Sequence, residues 1–255
     1  MKLSLRSRTQ SAPRVRPAFY ALPLGGWRDY VTLLHPPYTL WHLSYVIWGA
    51  ALAGAHHYDR LTATLVAFFL AVGVGAHALD ELRGRPLGTR ISSGVLRVMA
   101  GLALGGAVLI GLLGAVEVSP WLLAFVGYGL FIALAYNLEW FGGRFHSDAW
   151  FALSWGSMPL LTAYFASVER IDVAAVLGAV MAFSLSLAQR TLSLRVRALR
   201  RRARSIEGRV LYNDGTVADI DRRWATAPDE RALLLIACST FVGSLSVLVA
   251  SEYAS

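Results

Sequence analysis

Hydropathy divides the chain into seven apolar runs joined by short polar connections. The runs cover about residues 40–55, 61–79, 94–116, 121–138, 149–167, 172–188 and 232–250. Each is 16–23 residues long, which at about 1.5 Å per residue matches a hydrocarbon core about 30 Å thick. The pattern predicts an all-α membrane protein of about seven transmembrane helices. A basic arm over residues 1–36 precedes them, with an interfacial segment over 27–38 at its end. Residues 37–255 read as one transmembrane domain carrying a long basic loop at about 189–231. Within that loop, residues 205–228, with Asn213-Asp-Gly215, read as a polar hairpin or loop.

Composition agrees with the pattern. Of 255 residues, 56% are hydrophobic and 16% charged, and the mean hydropathy is +0.50; a soluble domain carries more charge and shorter apolar runs. One cysteine, Cys238, excludes an intrachain disulfide and a Cys-rich metal site, and reads as a small packing residue. Gly73, Gly75, Gly101, Gly105 and Gly106 read as packing glycines, which let helices approach closely. Pro159 is expected to kink its helix.

The net charge of +8 suggests nucleic acid only until its distribution is mapped. With the N-terminus cytoplasmic, inner segments hold 22 of the 24 Lys and Arg, and the outer loops hold Arg60 and Arg170. This positive-inside asymmetry independently predicts an odd span count, with the C-terminus outside. It explains the bases by topology and anionic headgroups, with no nucleic-acid partner. The Arg- and Ser-rich start also fits an organellar transit peptide; a cytoplasmic arm is the preferred reading, in a prokaryotic inner membrane.

Candidate chemistry collects where runs end on the cytoplasmic side. His77, Asp80 and Glu81 sit at i, i+3 and i+4, within about a 100° arc of one helix face. Ionisable groups at a membrane helix end mark a functional-site candidate; the alternative is an acidic pair neutralised by Arg83 and Arg85. Tyr136, Asn137 and Glu139 end the fourth run, followed by Arg144, His146 and Asp148. Ser186, Gln189, Arg190, Ser193 and Arg197 form one narrow polar stripe at helical spacing. Such a stripe faces a wet cavity or a ligand; a basic interfacial helix is the alternative, which Arg200, Arg201, Arg202 and Arg204 fit better. Carboxylates can share Mg²⁺ with phosphate oxygens, and arginines bind phosphate bidentately. A cationic mouth above an apolar bundle therefore suits a lipid diphosphate. His42, on the first run, reads as a helix–helix hydrogen bond.

Over about residues 30–200 these motifs resemble the UbiA superfamily of intramembrane prenyltransferases. His35-Pro-Pro-Tyr-Thr-Leu-Trp41 is similar to the entry to that family's first helix. A shortened first Asp motif follows, with His77 in the Asn place, Glu81 in the first Asp place, then Arg85-Pro-Leu87 and Ser93-Gly94. Ala135-Tyr-Asn-Leu, Gly142-Gly-Arg and Trp155-Gly-Ser-Met-Pro-Leu-Leu-Thr-Ala-Tyr164 are similar to the Tyr-plus-basic loop and the Gly/Pro helix after it. The family's second Asp motif is replaced by Gln189, Ser193 and Arg197, and two helices fewer are expected at the C-terminal end.

The resemblance implies transfer of an isoprenoid chain from its diphosphate to a lipophilic acceptor. Asp80 and Glu81 would hold Mg²⁺ and, with Tyr136, form the catalytic set. His77, Arg83, Arg85, Asn137, Arg144, Gln189, Arg190 and Arg197 would bind substrate. Two other readings stay open. One is a non-catalytic lipid-binding or scaffold protein on a degenerate version of this bundle. The other is a metal enzyme using His77, Asp80, Glu81, Glu139, His146 and Asp148.

Overall fold

The computed structural model describes residues 16–55 and 57–253. Lys2, Arg6, Arg8 and Arg14 of the basic arm, and His56, lie outside the described residues. A short helix α1 (Trp27–Leu33) leads into α2 (Pro36–Ala53). Rod α3 runs over Tyr58–Leu82, with a π-helical stretch at Phe69–Ala76. Then come α4 (Ser93–Glu117) and α5 (Leu122–Asn137). Rod α6 joins Asp148–Ala152, a π turn at Leu153–Ser157, and Met158–Val168. Helix α7 (Val173–Arg201) is linked to α8 (Arg222–Tyr253) by an antiparallel hairpin of β1 (Gly208–Leu211) and β2 (Val217–Ile220).

Apart from α1 and a single helical turn at Trp140–Gly143, the described residues form seven helical rods, each overlapping one of the seven apolar runs. Four of them, α3, α4, α7 and α8, are long and apolar enough to cross a membrane. Their outer faces carry apolar side chains, among them Val98, Leu102, Val116, Leu177 and Leu235. A continuous coat of that kind marks a surface that faces something other than water. Hydroxyls inside the rods bond back to their own helix, as Ser44 does to the Leu40 carbonyl and Thr162 to the Met158 carbonyl. That is how a polar group is satisfied where no solvent reaches. Ser92, Ser147 and Asp172 cap α4, α6 and α7 through their side chains.

The long basic loop expected at 189–231 is corrected. Helix α7 continues to Arg201 and α8 starts at Arg222. Arginine ends a hydropathy run without ending a helix, because it is a good helix former. The connection that remains holds the hairpin, turned at Gly215 with φ +84°.

Glycine and proline set the closest approaches. A Cβ on Gly49 would lie 2.2 Å from the Leu160 carbonyl oxygen, so α2 and α6 meet backbone to backbone. A Cβ on Gly156 would lie 2.3 Å from Ser186 Oγ, which fixes the α6–α7 contact. Gly73, Gly75 and Gly106 also pack against neighbours, whereas Gly101 and Gly105 meet nothing within 4 Å. Cys238 is exposed on α8 instead of packed. At Pro159 the rod passes through a π turn. Proline has no N–H to offer the carbonyl four residues back. That carbonyl, of Trp155, lies 2.7 Å from His42 Nδ1 on α2, so His42 does form the expected helix–helix hydrogen bond.

Candidate functional site

One end of the bundle gathers the N-terminal turns of α2 and α6 with the C-terminal turns of α3, α5 and α7. Between them lies a cavity of about 160 Å³. Its position follows from local sequence. Both π-helical stretches, Phe69–Ala76 and Leu153–Ser157, border it; such bulges displace side chains from the regular helical phase and recur at functional sites. His77 follows the first directly, and Trp155 sits in the second.

The stripe on α7 forms the cationic wall. Gln189, Arg190 and Ser193 are buried, and Arg197 is half-buried. Arg190 Nε donates to Asp148 Oδ1 at 2.8 Å, and its guanidinium lies 5.0 Å from the centre of the Phe151 ring. Asp148 thus satisfies the buried charge, which would otherwise be costly. Arg197 donates to the carbonyl and hydroxyl of Ser193 at 3.2 and 3.3 Å. Arg201 adds a third cation. Facing them, Asp80 is the carboxylate among the lining residues.

Aromatic rings form the floor. Tyr136 lies between His146 and Trp155, with ring centres 4.3 and 4.7 Å away. Its hydroxyl is buried with no hydrogen-bond partner among the described residues, and so is Gln189 Oε1. Both residues line the cavity. Buried polar atoms are nearly always satisfied, so two orphans in one cavity mark it as built for polar company. Asn137 also lines it, although its amide donates back to the Ala133 carbonyl.

A further wall joins α2 to the segment before α1. His35 occupies left-handed backbone at φ +46°, a conformation a non-glycine residue holds only with support. That support comes from Tyr20, whose hydroxyl is 2.5 Å from His35 Nδ1, and from His77, stacked at 4.2 Å. Burial, followed by the neighbouring His77, holds His35 well below the usual histidine pKa. Burial, followed by Tyr38, raises Tyr20 well above the usual tyrosine pKa. His77 Nδ1 lies 3.1 Å from the Gly73 carbonyl oxygen.

Seven of the eleven expected site residues therefore share the cavity: His77, Asp80, Tyr136, Asn137, Gln189, Arg190 and Arg197. Four do not line it. Glu81, only 1% exposed, accepts from the amides of Leu87 and Thr89 and from the Thr89 hydroxyl, at 3.0, 2.8 and 2.8 Å. It organises the loop after α3 and stands apart from the expected Asp80–Glu81 pair. Arg83 pairs with Glu139 at 2.7 Å. Arg85 donates to the carbonyls of Thr89 and Ile91 and to the Ser93 hydroxyl. Neither arginine neutralises an acidic pair. Arg144 is exposed. Sequence reasoning missed Tyr20, Tyr38, His35, Phe151, Trp155 and Arg201 as lining residues. His35, Tyr38 and His42 repeat at i, i+3 and i+7, a one-face spacing that signals the α2 wall.

The donor set does not fit a resident divalent cation. With Glu81 held by the loop, Asp80 is the one carboxylate in the lining, and no group of three or more His, Cys, Asp or Glu ligands is assembled among the described residues. Glu139 and Asp148 are engaged by Arg83 and Arg190. What the arrangement can do is hold an anion, since Arg190, Arg197 and Arg201 outnumber the carboxylates. Comparison with known proteins returns no match for this chain among family models, curated proteins or solved structures.

Proposed function

We propose that this cavity binds the diphosphate head of an isoprenoid lipid, and that the chain is a divergent prenyltransferase resembling the UbiA superfamily. The observation that carries this reading is the arc of Arg190, Arg197 and Arg201 facing Asp80 and the unpartnered Tyr136 hydroxyl in a buried cavity. Guanidinium groups are suited to phosphate oxygens. In this reading the seven rods span the membrane, the cavity opens on the cytoplasmic face of a prokaryotic inner membrane, and the C-terminus lies outside.

During transfer the bond from the prenyl carbon to the diphosphate oxygen breaks, and its electron pair leaves with the diphosphate. Arg197 and Arg201 stabilise that charge, the role that Mg²⁺ held by aspartates has in the resembled family. The acceptor supplies an electron pair to the prenyl carbon and gives up a proton, for which Asp80, the one carboxylate in the lining, is the base. Aromatic rings keep water from the cationic carbon.

A second reading, binding without transfer, is favoured by the single carboxylate in the lining. One experiment separates the two. Purified protein is given prenyl diphosphates of several chain lengths with a lipid extract, with and without Mg²⁺, and both binding and diphosphate release are followed. Transfer predicts release that is lost in Asp80→Asn. Binding without release supports the second reading. Absence of binding to every donor, from folded protein, overturns both.

A further inference from the structure

Residues 17–20 line the cavity, and we infer that the segment 16–22 forms a strap over its mouth that an incoming anion displaces, so that the site is closed by its own chain until a ligand arrives. The inference rests on the diphosphate-binding reading above and concerns its regulation. Pro17, Ala18, Phe19 and Tyr20 themselves line the cavity, so they take up space at its mouth.

One cation of the cavity wall also holds the strap. Arg201 Nε donates to the Pro17 carbonyl at 3.3 Å, and Arg200, which pairs with Glu230 outside the lining, donates to the Arg16 carbonyl at 3.3 Å. These are long bonds to neutral oxygens. A phosphate oxygen is a stronger acceptor for the same guanidinium, so Arg201 changes partner when an anion enters. Two shorter contacts clasp it: the 2.5 Å contact between the Tyr20 hydroxyl and His35 Nδ1, and the Leu22 amide donating to the Thr32 hydroxyl at 3.0 Å. The rest is the packing of Ala18, Ala21 and Tyr20 against Leu87, and of Tyr20 against Tyr38.

Beyond the strap the backbone is built to pivot. Gly25 and Gly26 follow at φ +114° and +63°, conformations that glycine adopts without steric cost. Asp29 accepts from the amides of Gly25 and Arg90, each at 2.9 Å, which fixes the pivot itself to the loop after α3. A fixed pivot at a glycine pair and a segment held by few hydrogen bonds compose a hinged cover. Linkage requires reciprocity: if the ligand opens the strap, loosening the strap tightens the ligand.

The test uses the full chain with Ala18→Cys in a Cys238→Ala background. Maleimide labelling at position 18 is followed with and without inorganic diphosphate, and diphosphate binding is measured on the same samples. Diphosphate should raise the labelling rate at least about threefold, as the strap leaves the mouth. Tyr20→Phe keeps the ring and removes the clasp to His35; it should speed labelling without ligand and tighten diphosphate binding about threefold or more. Bound diphosphate with unchanged labelling, or a Tyr20→Phe chain that binds no tighter, would overturn the strap and leave the binding reading standing. No diphosphate binding by either chain would remove the binding reading and the strap with it.

Discussion

Helices α3 and α7 both end at the cavity, and both bring charged residues there, yet they use them differently. The end of α3 divides its acids between two tasks. Asp80 borders the cavity, while its neighbour Glu81 is enclosed by three donors of the following loop. The end of α7 keeps its polar groups together, with Gln189, Arg190, Ser193, Arg197 and Arg201 all in the lining. Adjacent residues on a helix point about 100° apart, so neighbours in sequence can serve architecture and ligand separately. Residues spaced by whole turns share one environment. Identity of residue type thus predicts role less well than phase along the helix.

The largest effect should come from Glu81→Ala. It leaves the amides of Leu87 and Thr89 and the Thr89 hydroxyl without an acceptor, at roughly 3–5 kcal/mol in total for buried donors. Thermal unfolding in detergent should show a marked fall in Tm, whereas Asp80→Ala should leave Tm near that of the parent chain. Equal losses from both substitutions would break the division between the two carboxylates. Next in size is Arg197→Ala, which should weaken diphosphate binding at least about tenfold, on the order of 1.4 kcal/mol, with little change in Tm. Binding insensitive to this change would show that the stripe on α7 is structural too.

The smallest effect concerns pH. His35 is held neutral by burial, with His77, Arg201, Arg197 and His42 acting in the same direction, and it faces Tyr20 and Tyr38 as well. Its pKa is lowered when the strap is closed, so an opened or unfolded state binds more protons once pH falls below the free value of about 6.5. The closed state is therefore favoured above that pH and loses ground as pH falls through it. Labelling of Ala18→Cys, divided at each pH by the rate of a free-thiol reference because maleimide reacts with the thiolate, should rise between about pH 7 and pH 5, and His35→Gln should remove the rise. A pH-independent ratio in the parent chain would detach His35 from the strap.

Much of this was legible in the sequence. The seven apolar runs overlap seven rods because length and hydropathy are local properties. The α7 stripe was legible for the same reason: one uninterrupted helix carries it, and its spacing fixes its face. Glu81 was not, since its role depends on where a loop six to eight residues later returns, and no periodicity encodes that. Tyr20 was hidden because the segment before α1 has no repeating pattern, and its place at the cavity is set by Arg200, Arg201 and His35, which are distant in sequence or across a turn. Arg201 was read as fitting an interfacial helix better than the stripe, because Arg200, Arg202 and Arg204 beside it obscured its phase with Arg197.

The pairing of α2 with its neighbours has a consequence for how the protein is made. Helix α2, the first rod, is absent from the four that are long and apolar enough to cross a membrane, and it buries Thr39, His42 and Ser44. Its most extensive interfaces are with α6 and with α8, which follows all the other rods in sequence. During synthesis α2 must therefore wait in the bilayer or beside the insertion machinery, with its polar face uncovered, until α6 supplies the Trp155 carbonyl and α8 closes the other side. The bundle is completed by packing α8 against α2, and a nascent chain that stalls before α8 leaves that side of α2 uncovered.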